Sequence, residues 1–240
     1  MAELGDRQTA GAVYHESPPG YLPAWRVEKA LWQIGDHAEC RRLLQVQLAQ
    51  SEAEAARDRR STLMGFEYVA GAQHQMGFHA DRAQTVARLQ ALADGWPLEG
   101  DALLRSAVLT TLGSIHVRAG DFNAAIPLLN AAKASIDQQA SNPLPDNMQY
   151  SAIVAPRATL SRCFAACGAL DCALDCARCI DYEDTRISLV ATAYVKARKQ
   201  AKLQQLLATI KSAREAHDMI RSIEMGISVS SVLKPFIAVP

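Results

Sequence analysis

The chain has 240 residues, 25 basic and 25 acidic side chains, half its residues hydrophobic and only 6% aromatic. A neutral balance supplies no long-range field for nucleic acid or anionic lipid, so neither a nucleic-acid nor a membrane partner is expected. No apolar run approaches the roughly 20 residues of a membrane span, and no basic segment followed by an apolar one marks a secretory signal. Six cysteines in that context predict reduced thiols in a cytoplasmic protein. Alanine-rich, aromatic-poor composition favours close-packed helices over sheets.

Residues 1–22 are polar and carry Pro18-Pro19-Gly20; they read as a flexible leader. From 23 to 240 the pattern predicts one helical-repeat domain of helix–turn–helix units. The first hairpin runs from about Ala24 to Arg59. Trp25, Ala30, Leu31 and Ile34 lead to Gly35-Asp36, and Cys40, Leu43, Leu44 and Leu48 follow at helical spacing. The charged stretch Glu52–Arg60 reads as a solvated helix end, with glutamates three to five residues before arginines. The second hairpin covers about Ser61 to Ala93, with Phe66, Val69 and Ala70 before Gly77 and Ala83, Val86, Ala87, Leu89 and Leu92 after it. Asp94-Gly95-Trp96-Pro97 then interrupts the chain.

The third hairpin has the clearest pattern. Leu109, Leu112, His116 and Val117 precede Gly120-Asp121; Ala125, Leu128, Leu129 and Ala132 follow. Glycine takes the left-handed conformation that ends a helix without a Cβ penalty, and the aspartate accepts from the open N–H groups of the next helix. Pro127, early in the second helix, is expected to bend it slightly without breaking it. After a connection at 141–147, a fourth hairpin covers about Met148 to Ile180, turning at Gly168. There Asp171 is displaced from the capping position. A fifth runs from about Asp184 to Arg221, with Arg198-Lys199-Gln200 where a glycine would be expected. Apolar residues from Ile223 to Phe236 predict a closing helix over the last hairpin.

Residues 105–137 resemble a tetratricopeptide repeat through Leu112-Gly113, Gly120-Asp121-Phe122, Ala125, Leu129 and Ala132. The family's proline after the second helix is missing; Asp137 stands about there. The first three intervals between turns exceed the roughly 34 residues of a strict array and the last is shorter, so an irregular superhelix is expected. The resemblance implies an all-α, right-handed α-solenoid of about five hairpins with a C-terminal capping helix. First helices would line a concave groove that holds a peptide or protein. Carried onto this chain, Thr110, Ser114 and Arg118 would face that groove, with His74 and Arg162 at corresponding places in neighbouring hairpins.

Five cysteines, Cys163, Cys167, Cys172, Cys176 and Cys179, crowd the fourth hairpin. Pairs four apart share a helix face, and two such pairs would make a four-sulfur site. The surrounding alanines favour the plainer reading, in which cysteine packs as a small apolar residue. No His-Glu-x-x-His, phosphate loop or nucleophile elbow is present. Asp36 and Asp121 read as helix caps, and the histidines are scattered. The sequence therefore nominates no catalytic, cofactor or metal residues. It points to a non-catalytic scaffold, adaptor or regulator. A metal or thiol-redox module at 163–179 and an enzyme with an unrecognised groove site are the alternatives.

Overall fold

The computed structural model describes residues 24–141 and 153–208, and among them the chain is helical throughout, with turns and no strand. The leader, most of the 141–147 connection, the end of the fifth hairpin, the closing helix, His15 and His217 lie outside the described residues. The packing divides the chain into two units between Trp96 and Pro97, at the Gly-Trp-Pro interruption.

The first unit holds α1 (Ala24–Gln33), α2 (His37–Glu54), α3 (Arg59–Gln75) and α4 (His79–Asp94), each packed against the next. Its interior is built from Leu31, Leu44, Leu48, Phe66, Val69 and Leu89. The second holds α5 (Ala102–Arg118), α6 (Phe122–Ala140), α7 (Ala155–Ala166), α8 (Leu170–Arg178), α9 (Glu183–Lys196) and α10 (Gln200–Ala208). Here α5 packs on α6 and α7, and α7 packs on α6, α8 and α9. Leu129, Ile136, Leu160, Phe164 and Leu174 form much of its core.

One turn geometry recurs in all five hairpins. Gly35, Gly77, Gly120 and Gly168 have φ between 74° and 80°, and Arg198 takes the same region at 54°. The N–H of each turn residue bonds the carbonyl three residues back: Trp32, His74, Val117, Ala165 and Val195. The next N–H, from Asp36, Phe78, Asp121, Ala169 or Lys199, reaches back five, to Leu31, Gln73, His116, Phe164 or Tyr194. This paired arrangement satisfies two of the carbonyls a helix end leaves open and starts the return helix two residues later. Arg198 holds it without glycine because its side chain is exposed and the backbone bonds are all made.

Side-chain capping varies where the turn does not. Asp36 accepts from Glu39 N–H and Asp121 from Ala124 N–H, both at 3.3 Å, as their sequence positions predict. Asp58 and Asp101 also cap, for α3 and α5. Ala169 rather than Asp171 begins α8, with no side-chain cap. Phe78 begins α4 in the same way. Because the second turn keeps the common register, Thr85, Leu89 and Ala93 face inward on α4, and Ala83 and Ala87 are exposed, contrary to the sequence expectation. The stretch Glu52–Arg60 is not one solvated helix end either: α2 stops at Glu54, and Asp58 opens α3. Helix α6 continues through Pro127.

Seven residues before each turn residue stand Glu28, Ala70, Gly113, Ser161 and Ala191, all buried. At two of these positions a close approach of the paired helices is visible. A Cβ on Gly113 would lie 2.6 Å from Leu129 Cδ2, and Ser161 Oγ donates to the Ala173 carbonyl of α8 at 2.9 Å. Four of the five positions therefore carry a side chain of at most two heavy atoms, and the exception is a carboxylic acid.

Gly120→Ala forces a Cβ into the left-handed region and is expected to lower stability by about 1 kcal/mol in urea unfolding. Arg198→Gly relieves the same strain and is expected to raise it, by less than about 1 kcal/mol because glycine also loosens the unfolded chain.

Candidate functional site

The five nominated partner-binding residues differ sharply in exposure. On α5, Thr110 is 8% and Ser114 6% exposed, so both sit within the packing. Arg118, at the end of α5, and Arg162, on α7, present exposed guanidinium groups. Their helices are neighbours in the second unit. His74 is half-buried near the end of α3 in the first unit, its ring 5.8 Å from that of His79. His116 is turned inward at the end of α5, and its Nδ1 lies 3.1 Å from Asp121 Oδ2, tying the helix end to the cap of the next helix.

Four of the five clustered cysteines pack as small apolar side chains, and Cys179 is exposed. Cys163 and Cys176 are buried in the core of the second unit with Phe164, Ala165 and Ala173, and Cys167 and Cys172 lie against it. No disulfide joins any of the six. Among the described residues no three His, Cys, Asp or Glu side chains gather as a metal-holding group, so the four-sulfur arrangement suggested by spacing is not formed. Burial raises the Cys167 thiol and pushes Cys176 up to about 12, which disfavours the thiolate that metal binding and exchange require.

Above Cys176 lies an ion network that joins three helices. Lys133 of α6 contacts Asp137 at 2.7 Å and Asp175 of α8 at 2.8 Å. Arg157 of α7 reaches Asp137 at 2.9 Å and donates to the Cys179 carbonyl at 3.0 Å. Burial works to raise the Asp137 carboxyl, but hydrogen bonds from Lys133 and Arg157 outweigh it and hold the group low. Every charge here has a partner, which marks a structural clasp.

In the first unit the polar groups are less completely matched. Glu28 is fully buried on α1, at the position where other hairpins carry a small residue. Tyr68 of α3 donates a hydrogen bond to Glu28 Oε2, while Oε1 has no partner. Burial raises the Glu28 carboxyl against the lowering effect of Tyr68. Burial, then Glu28 and Asp36, push the opposing Cys40 thiol up to about 11, and Cys40 Sγ lies 3.2 Å from Met76 Sδ. Tyr68 also lines an open cavity of about 410 Å³ between α2 and α3. Gln47, Gln50, Ser51 and Glu54 line it from α2, and Met64 and Gly65 from α3. The two helices meet closely there, since a Cβ on Gly65 would fall 2.0 Å from Ser51 Oγ.

Sequence reading passed over this cluster. The available signal was an acid, Glu28, three residues before the buried Leu31 on an otherwise apolar face. No membrane-crossing helix exists among the described residues. No protein-family model, no curated protein and no solved structure matches the chain.

A carboxyl with a higher pKa in the fold than in the unfolded chain supports folding below its unfolded value. That support is lost as pH rises through the folded value. Glu28→Gln keeps an oxygen for Tyr68 and removes the titration. It is expected to make stability fall less steeply than in the parent chain as pH rises above the ordinary carboxylate range, measured by urea unfolding. Tyr68→Phe strands the acid without its donor and is expected to cost about 1–3 kcal/mol at neutral pH.

Proposed function

We propose that this chain is a non-catalytic protein–protein interaction module, a scaffold, adaptor or regulator, built as a right-handed solenoid of tetratricopeptide-like hairpins. The observation that carries the reading is the fivefold recurrence of one turn with the same two backbone hydrogen bonds. Repeated hairpins of this kind bury their faces on one another, and their first helices present spaced side chains to an extended partner. In the second unit the packing of α5 on α7 and of α7 on α9 supports such side-by-side first helices.

Of the residues nominated for the groove, Arg118 and Arg162 are suited to touch a partner, because both are exposed cations on successive first helices. Thr110 and Ser114, being buried, contribute to the placement of α5 instead. A partner with acidic or carboxylate-bearing segments fits two guanidinium groups best.

Affinity purification with the full chain from its native cell is expected to retain a protein partner. Arg118→Glu and Arg162→Glu are each expected to weaken capture by about tenfold, through loss of attraction and added repulsion. Capture indifferent to both substitutions would reject the groove assignment.

A further inference from the structure

We propose that α1 is a pH-sensitive strap: it stays docked on α2 and α3 while the Glu28 side chain carries its proton, and it swings out about the first turn when that proton leaves. This device lies wholly in the first unit and does not rest on the reading above. Three observations converge. First, Glu28 is fully buried where the other hairpins carry Ala70, Gly113, Ser161 and Ala191, so packing at that level asks only for a small side chain. Second, the site supports the carboxylate poorly. Tyr68 of α3 donates to Oε2, and buried Oε1 has no donor. Cys40 of α2 faces the carboxyl, and Asp36 of the first turn acts on that same thiol. On α1 itself Lys29 is exposed, and Arg41 of α2 is engaged by Asp81 at 2.7 Å. Burial raises the Glu28 carboxyl, and the Tyr68 bond opposes it without cancelling it. Third, α2, α3 and α4 hold together without α1. They pack on one another in order, and Arg41–Asp81 and Arg88–Glu52 tie α2 to α4. The ten-residue α1 joins them through the Gly35 turn.

A glutamate in water holds its charge readily, whereas the docked position holds it badly. Undocking therefore releases a proton wherever the pH lies above the exposed value and below the docked one. In that range the open state gains by up to about tenfold for each pH unit. Below it the strap is closed over a neutral acid; above the docked value the gain levels off. Val27 and Leu31, buried on the same helix, oppose opening at every pH, and opening bares them to water. The other titratable group against α1 is His37, whose ring stacks on Trp32 at 4.0 Å.

The test is native-state hydrogen exchange of the full chain, read by NMR at a series of pH values and corrected for the intrinsic pH dependence of amide exchange. Amides 30–34 report on α1, and those of Val69 and Ala70 on α3. The α1 amides are expected to be at least about tenfold less protected than the α3 pair, because α1 opens alone. Their protection should fall by up to about tenfold per pH unit above the ordinary carboxylate range, then level off. Glu28→Gln keeps an oxygen for Tyr68 but has no proton to lose, and should hold α1 protection constant within about twofold. Protection of α1 that ignores pH, or equals that of α3, would overturn the proposal on the parent chain alone. A fall retained in Glu28→Gln would assign it to His37 or another group and overturn it too. None of these outcomes bears on capture through Arg118 and Arg162.

Discussion

Each hairpin depends on one residue held in the left-handed region of backbone space. That residue lets two carbonyls at the end of the outgoing helix find donors within two residues. The return helix can therefore begin at once and run back along the same face. Its direction sets which side chains meet, and the close approach seven residues before the turn follows from it. At Gly113 the return helix brings Leu129 so near that an added Cβ would force that leucine to move. At Ser161 the same proximity is used for a hydrogen bond to the Ala173 carbonyl. Small side chains at this level are thus a consequence of the turn, and the apolar packing of Leu129, Ile136, Leu160 and Phe164 builds outward from it.

Polar side chains fasten what the turns align. In the first unit Trp32 stacks on His37 at 4.0 Å and meets the edge of Phe78 at 5.3 Å, while the Arg41 guanidinium lies over Phe78. That cluster couples the first turn to the second, and Arg41 also pairs with Asp81 at 2.7 Å. In the second unit Lys133, Asp137, Arg157 and Asp175 perform a comparable task with charges. Partly exposed pairs of this kind add little free energy one by one, but Lys133 and Arg157, each with partners on two helices, tie three helices together. Glu28 departs from this economy: it is buried, half-satisfied and placed where a small residue suffices elsewhere.

Turns and helices were readable from the residues because glycine and aspartate carry local, backbone-level instructions. Gly35-Asp36 and Gly120-Asp121 state the turn, the cap and the register in two residues. Where those letters change, reading falters. Phe78 and Ala169 begin helices without a capping side chain, so only the turn's hydrogen bonds set their register. Ala83 was expected inside for that reason, and Thr85 proves to be the buried residue, bonded to Gln73 at 2.8 Å. The candidate sites were less legible still. Whether Arg118 and Ser114 face solvent depends on the packing of successive helices, which helical spacing alone leaves open. The Glu28–Tyr68 pair and the cavity beside it join residues from three helices, and no local pattern announces such a meeting.

One backbone turn, not one amino acid, defines the repeat, and Arg198 is where the two can be told apart. Solution NMR of the full chain, reading the intraresidue NOE between amide and α protons, reports the sign of φ at that residue. The account predicts a strong NOE at Arg198, matching the left-handed φ of 54° and the geometry of the four turn glycines. A weak NOE with the coupling of an ordinary right-handed helical residue would show that the fifth hairpin turns differently, and the shared geometry would then be a property of glycine alone.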